Sequence, residues 1–544
     1  MSRARGYKRL LPAVALVAIA LFMSAPSVQT HHRARLSADL DAAAQSDDAR
    51  DVPVIVHGDR AKVLRIAERH GVRIKKFLRS GAVFEVGSNT LESLAGDAEI
   101  DHLSGDTPVQ SALDVTAETV GATIAWSGLD DLPGLTGRGV TIAVIDSGVA
   151  AHDALEERVI HSVDFVRSGG RGADHFGHGT HVAGIIAGNG ASPDGSRYRG
   201  IAPGASLINL RVLGPDGSGD TSDVVEAIDW AIEYRSRYRI RVINLSLGRP
   251  VTESYRDDPL AEAVERATAA GIVVVASAGN AGKTEDGTPV AQGIVSPGNS
   301  PYALTVGALN TRQTRWRSDD VVATYSSRGV TAIDGVLKPD LVAPGNRIVS
   351  LEAPGSALVR DFPSAHVAGS GRDAYFLMSG SSMATAVVSG AVALLLEANP
   401  SLNPLGVKAA LQLTAAPVDG AGLIDAGAGS LNVVSALRLA HSGLDGDAGL
   451  DALPDAVFGA EPVGHSGIAF FDAGYGAPGE LLPLEGSASR SGWLGHFVSA
   501  DNKRIVWGDS KRIVWGDSKR IVWGDSKRIV WGDGTREVWG DEPR

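Results

Sequence analysis

Three short segments hold an acid, a base and a nucleophile at places where each could be presented to a substrate. Asp146 follows the apolar run Val140 to Ile145 and precedes Ser147 and Gly148, so its carboxylate is expected at the carboxyl end of a buried strand, the edge where open α/β sheets build their sites. His178 lies in GHGTHVAGIIAG, where Gly177 and Gly179 permit a tight turn and the small residues beyond let a helix pack closely. Ser382 lies in SGSSMATAVVSG, at the junction of a Gly-containing turn and a long apolar helix, where free amides and the helix field favour developing negative charge. Hydroxyl, imidazole and carboxylate are the parts of nucleophilic acyl transfer: the imidazole takes the hydroxyl proton and the acid orients the imidazole.

Taken singly, each residue has an ordinary reading. An Asp at a strand end is a common turn former, and a Ser at a helix start is a common cap. His178 and His181 stand three apart and could form a metal pair, but no third ligand stands out. His181 reads instead as a packing or hydrogen-bonding residue, as do His152, His161, His175 and His366.

In company the segments say more. VTIAVIDSGV, DHFGHGTHVAGIIAG and SGSSMATAVVSG resemble the three active-site signatures of the subtilisin-like serine proteases (the subtilase family, peptidase S8), in the same order Asp, His, Ser. The resemblance covers roughly Gly139 to Ala440. It implies a serine endopeptidase in which His178 deprotonates Ser382 and Asp146 holds the imidazole tautomer. ASAGNAG matches the segment that supplies an oxyanion-binding Asn side chain, here Asn280, with the Ser382 amide as the second donor. LGPDGSG, with Gly217, Ser218 and Gly219, and NLSLG, with Ser246, Leu247 and Gly248, resemble the two backbone edges that hold an extended substrate. Ser277, Ala278 and Gly279 would form a small-residue wall of the primary pocket. The departures are Ser381 where the family usually has Thr, Ala386 where it usually has Pro, and Val295 where many relatives have a small residue at the pocket base, which predicts a shallow pocket. Leu358 to Gly371 and Asp286 to Gln292 read as loop insertions. No cofactor is implied for catalysis. Calcium often stabilises this family, and Asp153 and Asp194 offer oxygen ligands without matching a familiar site.

These residues need a frame. Apolar runs at Val140–Ile145, Ser206–Val212, Arg241–Leu247, Ile272–Ser277 and Tyr302–Val306 alternate with helices expected over His178–Ala187, Ser222–Arg235, Pro259–Ala270, Ser382–Ala398 and Pro404–Leu413. Continuous Val/Ile/Leu strands separated by helices are buried on both faces, so the catalytic domain, residues 115–440, is predicted to be α/β, a parallel sheet flanked by helices. Ahead of it, residues 51–110 read as strand (Val52–His57), helix (Arg60–His70, ended by Gly71), strands (Val72–Phe77, Ala82–Val86), a helix capped by Asn89 and a last extended piece near Thr107–Gln110. That order is a small α+β, ferredoxin-like unit. It resembles the family's inhibitory propeptide, which implies autocatalytic maturation between about His102 and Leu113.

Composition bounds the rest. With 51 Lys+Arg against 63 Asp+Glu, a net charge of -12 offers no electrostatic pull toward nucleic acid. Arg3, Arg5, Lys8 and Arg9 precede an apolar run from Leu10 to Met23 and then Ser24–Ser27, the layout of a secretory signal peptide over residues 1–27, which predicts an exported protein. The absence of cysteine excludes disulfides, a thiol nucleophile and thiolate metal sites. Residues 441–501 read as a Gly/Ala-rich linker. Over residues 502–544, KRIVWGDS starts at Lys503, Lys511, Lys519 and, ending in Gly534, at Lys527, followed by TREVWGDE. The even period would put Ile505, Trp507 and their equivalents on one face of any strand, and the Trp repeats offer a cell-surface or glycan contact. The partners expected are polypeptide substrates and the chain's own 51–110 segment. A surface-display protein is the second class of function, and an esterase the third, although the GxSxG elbow is missing.

Overall fold

A computed structural model describes residues 33–472, apart from 38–39, 41–51, 79, 106–111, 130–131, 167–171, 192–194, 285, 443–455 and 459–460; beyond 472 it describes only strands within 495–539. The expected leader, residues 1–27, and Asp194 lie outside the described residues. The chain divides into two compact units, meeting in sequence at Val109 and Gln110.

The first unit carries strands β1 (Arg35–Leu36), β2 (Val52–His57), β3 (Arg73–Leu78), β4 (Gly81–Val86) and β5 (His102–Gly105), with helices α1 (Arg60–His70) and α2 (Ser88–Ala95). The sheet order is β1-β5-β2-β4-β3. Helix α1 starts where the Asp59 side chain accepts the Lys62 amide and stops at Gly71, whose φ of 64° is a left-handed cap. Val54, Val56, Val63, Ile66, Phe84, Leu91, Leu94 and Leu103 form its core. Two expectations shift. Gly87, not Asn89, occupies the cap position of α2. The last strand is His102–Gly105, because Leu103 fills the core opposite Val56; Thr107–Gln110 lies outside the described residues.

The second unit is built on strands β6 (Thr141–Asp146), β7 (Val159–Asp164), β8 (Ser206–Arg211), β9 (Ile240–Leu245), β10 (Val273–Ser277), β11 (Leu304–Asn310), β12 (Val321–Val322) and β13 (Leu341–Pro344). The order is β12-β11-β10-β9-β6-β8-β7, with β13 also on β11, and every pairing is parallel except that of β12. All six residues of β6 are buried. Ile142 and Val144 join the core on one face while Ala143 and Ile145 join that on the other, which is why the strand reads as an unbroken apolar run.

Helices α3 (Ala112–Val120), α4 (Ala122–Ser127), α5 (His178–Ala187), α6 (Thr221–Tyr238), α7 (Pro259–Ala269), α8 (Ala357–Asp361), α9 (Ser381–Ala398), α10 (Pro404–Leu413), α11 (Leu423–Ala426) and α12 (Val433–Ser442) complete the unit. Residues of α5, α9, α10 and α12 pack into one core and those of α6 and α7 into the other. Helix α9 has the length and hydropathy of a membrane span, but its apolar surface is buried inside the domain. A small sheet of β14 (Ile348–Leu351), β15 (His366–Ala368) and β16 (Tyr375–Met378), ordered β14-β16-β15, leads into α9. Away from the sheet's functional edge, the buried Asp340 carboxylate takes Lys338 at 2.8 Å and Lys408 at 2.9 Å, fastening β13 to α10.

The linker expected from residue 441 starts too early. Helix α12 continues to Ser442, and residues 456–472 fold onto the domain as β17 (Ala456–Phe458), β18 (Glu461–Val463) and β19 (Ile468–Asp472). The Phe470 side chain packs beside Ala415 and Ala428, and its amide donates to Gln412 Oε1 at 3.2 Å. Glu461 accepts the amides of Arg317 and Ser318. Among the described strands of the repeats, Ile505–Val506 pairs in parallel with Ile521–Val522, and Arg512–Val514 with Arg528–Val530. Copies sixteen residues apart are thus in register.

Candidate active site

Strand β6 delivers Asp146 to the carboxyl edge of the sheet between its neighbours β8 and β9, at the crevice where parallel sheets take ligands. Helix α5 opens on His178, preceded by Gly177 with φ 109°. Its Nδ1 stands 2.8 Å from Asp146 Oδ1 and 3.0 Å from Oδ2. Asp146 is 1% exposed, and its Oδ1 also accepts the Ser147 amide at 2.7 Å. A carboxylate on Nδ1 makes that nitrogen the N–H bearer, so Nε2 is the free base. Burial opposes a charge on His178, yet the charge and hydrogen bond of Asp146, with a further contribution from Asp174, hold its pKa above the ordinary imidazole value. The approach is close enough that only glycine fits at 179: a Cβ there would lie 2.2 Å from the Gly148 carbonyl.

Asp174 is a buried acid beside the site that the sequence reading missed. Its carboxylate accepts from the hydroxyls of Ser147 (2.9 Å) and Thr180 (2.6 Å) and from the amides of Phe176 (3.2 Å), Gly177 (2.6 Å) and Thr180 (2.8 Å). Burial pushes its pKa up, and those donors pull it back. Ser147 Oγ closes the circuit by accepting the Gly179 amide at 2.9 Å. The turn that aims His178 is thereby pinned to the strand that carries Asp146. The only signal in the sequence was an acid four residues before His178 in DHFGH.

Ser382 is the second residue of α9, behind Gly380 at the cap. Its Oγ donates to the Ser246 carbonyl at 3.0 Å, and its own carbonyl accepts from Ser246 Oγ at 2.9 Å. The hydroxyl therefore rests at the carboxyl end of β9, not on His178 Nε2; catalytic hydrogen bonds often tighten only with substrate present. Asn280 Oδ1 accepts the Ser381 amide at 2.9 Å, which leaves Nδ2 as the free donor. A Cβ on Gly380 would stand 3.4 Å from that Nδ2, so the side-chain donor and the start of α9 face one space. Ser381 Oγ, at the position where the family usually has Thr, accepts the Gly279 amide at 3.2 Å.

A cleft of about 390 Å³ opens beside His178, lined by Phe176, Leu213, Gly217, Ser218, Gly219 and Ser246–Arg249 among others. The two expected backbone edges therefore flank one trough. Gly217, with φ 78°, carries the Phe176 ring against it; a Cβ would lie 2.5 Å from Cζ. Ser277, Ala278 and Gly279 do not line this trough. Ser277 and Ala278 are buried, and the space between the two walls holds Val295: a Cβ on Gly248 would lie 2.4 Å from its Cγ2, and one on Gly279 2.8 Å from its Cγ1.

The remaining candidates separate cleanly. His181 Nε2 faces the carbonyls of Ile348 (3.2 Å) and Phe376 (3.0 Å), so it is an N–H donor and not a ligand; burial lowers its pKa to about 3. His152 bridges the Ala374 carbonyl and the Ala154 amide. His161 stacks on Trp230 and Tyr238, His175 holds the Ala357 amide through its carbonyl, and His366 pairs with Glu352. Asp153 pairs with Arg372 at 2.9 Å, so it does not stand free as a cation ligand. Among the described residues no group of three or more His, Cys, Asp or Glu is placed to hold a metal.

Comparison with known proteins adds four findings. Residues 137–453 match the model of the subtilase family, Peptidase_S8. The chain is 44% identical over 283 residues to serine protease AprX of Bacillus subtilis (strain 168), an alignment that spans 51% of this chain and 61% of AprX. It is 34% identical over 305 residues to subtilisin BL of Lederbergia lenta, spanning 56% of this chain and 93% of that protein. A solved structure, of a cold adapted subtilisin-like serine proteinase, is 30% identical with a TM-score of 0.42, covering 57% of this chain and 97% of that one.

Proposed function

The chain belongs to the subtilase family, and on that premise we propose that it is an exported serine endopeptidase made as a precursor. The carrying observation is the Asp146–His178 pair, 2.8 Å apart at the mouth of a cleft whose opposite edges are main chain. Ser382 Oγ turns from the Ser246 carbonyl to His178 Nε2, loses its proton there and attacks a scissile carbonyl. The tetrahedral oxyanion takes Asn280 Nδ2 and the Ser382 amide. His178, charged and held by Asp146, then protonates the leaving amine. The acyl enzyme is resolved by water through the same steps reversed.

Main-chain edges recognise any extended polypeptide, so selectivity on the acyl side falls to the pocket that Val295 occupies, and it favours small to medium apolar side chains. The apolar N-terminal run supports export. The β-α-β-β-α-β unit of residues 51–110 supports an intramolecular inhibitor removed between about His102 and Leu113. The Trp repeats are assigned to surface retention; loss of wall binding by a chain ending after Asp472 tests that point.

The central test is expression of the parent chain and of Ser382→Ala, following chain size and casein hydrolysis. Processing and hydrolysis in the parent, against an intact and inactive precursor in the variant, is the expected result. A parent that neither shortens nor cleaves casein overturns the proposal.

A further inference from the structure

The segment from Gly355 to Asp373 contributes nothing to the triad, yet both of its ends are fastened to it. At its start, the Ala357 amide donates to the His175 carbonyl at 2.9 Å and the Leu358 amide to the Phe176 carbonyl at 3.0 Å. Ser356 fills the space facing Gly177, where a Cβ would meet its Oγ at 2.6 Å. These are the residues immediately before His178. At its far end the segment runs through β16 into Ser382, and its own strand β15 pairs with β16, His366 opposite Phe376 and Ala368 opposite Tyr375. Strand β15 is the edge of that small sheet.

Phe176 divides two sides of the catalytic line. Its ring lies on Gly217 and lines the cleft, while its carbonyl holds Leu358. An extended substrate that lies along Gly217–Gly219 and Ser246–Gly248 and crosses Ser382 passes His178, and the turn that carries His178 is the one Ser356, Ala357 and Leu358 pack against. The segment that packs on this turn also carries apolar surface: Phe362 is 58% exposed and Val367 41%. Both belong to this one segment and both lie beside an open strand edge. Arg360 and Asp361, the exposed charges next to Phe362, are of opposite sign, so the surface offers no net preference for a charged residue.

We propose that Gly355–Asp373 is the recognition surface for the leaving-group side of the substrate, taking a large apolar side chain within the first few residues after the scissile bond. The proposal rests on the endopeptidase reading above. Strand β15 pairs with the extended product segment, and Phe362 and Val367 cover its apolar side chain. The occupant is taken to be the product segment because both ends of Gly355–Asp373 adjoin the catalytic residues, one on the His178 turn and the other through β16 into Ser382.

The test compares the full chain with its Phe362→Ser and Phe362→Leu variants on three substrates that share one acyl side, succinyl-Ala-Ala-Pro-Ala. One is a p-nitroanilide, with no amino acid beyond the bond; the other two are quenched fluorogenic peptides continuing as Leu-Phe or as Gly-Gly. Phe362→Ser is expected to lose about 5- to 30-fold in kcat/KM on the Leu-Phe peptide and less than about 2-fold on the other two, with Phe362→Leu retaining most of the parent value. Equal losses on both peptides, a parallel loss on the anilide, or no loss at all would overturn the assignment. A parent that fails on the anilide would overturn the endopeptidase reading and this inference together.

Discussion

Val295 offers the sharpest quantitative test, because its two γ-methyls occupy the space between Gly248 and Gly279. Val295→Ala removes both methyls, leaving room for about two more carbons of a bound side chain. At about 0.8 kcal/mol per buried CH2 the opened space is worth about 1.6 kcal/mol to a larger substrate side chain, and a factor of ten per about 1.4 kcal/mol makes that about 15-fold. Val295→Gly extends the gain to about 2.4 kcal/mol, or about 50-fold. The quantity to measure is kcat/KM for Phe over Ala immediately before a p-nitroanilide, in the parent and both variants. The parent is expected to favour Ala, and the ratio to climb toward Phe from Val to Ala to Gly. Each variant should lose some stability, about 1–2 kcal/mol for Val295→Ala, which thermal unfolding reads separately. A parent that already prefers Phe, or variants that scale all substrates equally, would refute the placement of Val295 at the pocket base.

Three further outcomes follow from the geometry. Acylation needs neutral His178, whose pKa lies above the ordinary value because Asp146 outweighs burial; kcat/KM should rise with pH until that value is passed, and Asp146→Asn should move the limb to lower pH while cutting kcat by about 10⁴, so an unmoved limb would assign it to another group. Asn280→Ala should cost about 10²- to 10³-fold in kcat with KM little changed; a rise in KM alone would make Asn280 a binding residue. Both Asp320 oxygens are buried without a protein hydrogen-bond donor. Burial, helped by Asp319 and Glu461 and opposed by Arg317, pushes Asp320 up to about 8. An Asp that ionises near about 4 unfolded but near 8 folded holds an extra proton in the fold between those values, so its contribution to stability is lost as pH rises from one to the other. Asp320→Asn should therefore raise Tm at pH 9 and have little effect at pH 4; a Tm gain independent of pH would contradict this.

Much of the frame was legible in local pattern. Strand β6 and helices α5 and α10 were bounded within a residue from apolar runs, Gly and Pro, since burial on both faces leaves no polar residue to interrupt a run. Short strands escaped: β13, β14 and β16 have four residues each, too few to show a period beside the Gly and Pro that surround them. Residues 456–472 passed for linker because their apolar residues, Phe458, Val463, Ile468, Phe470 and Phe471 among them, are spaced by Gly, Pro and Ser without a steady period; what fastens Phe470 is Gln412, fifty-eight residues earlier.

The sequence by itself singled out Asp146, His178 and Ser382 and placed them at a sheet edge and two helix starts, because signature segments and apolar runs are properties of a few consecutive residues. Only the tertiary structure decided that Asp174 pins the His178 turn, that Val295 fills the gap between Gly248 and Gly279, that Ser382 rests on Ser246, and that Leu358 packs on the turn before His178. Each of those facts depends on which distant segment packs alongside, and the direction in which a side chain finds its partner is set by close packing across the fold and is not written in its neighbours along the chain.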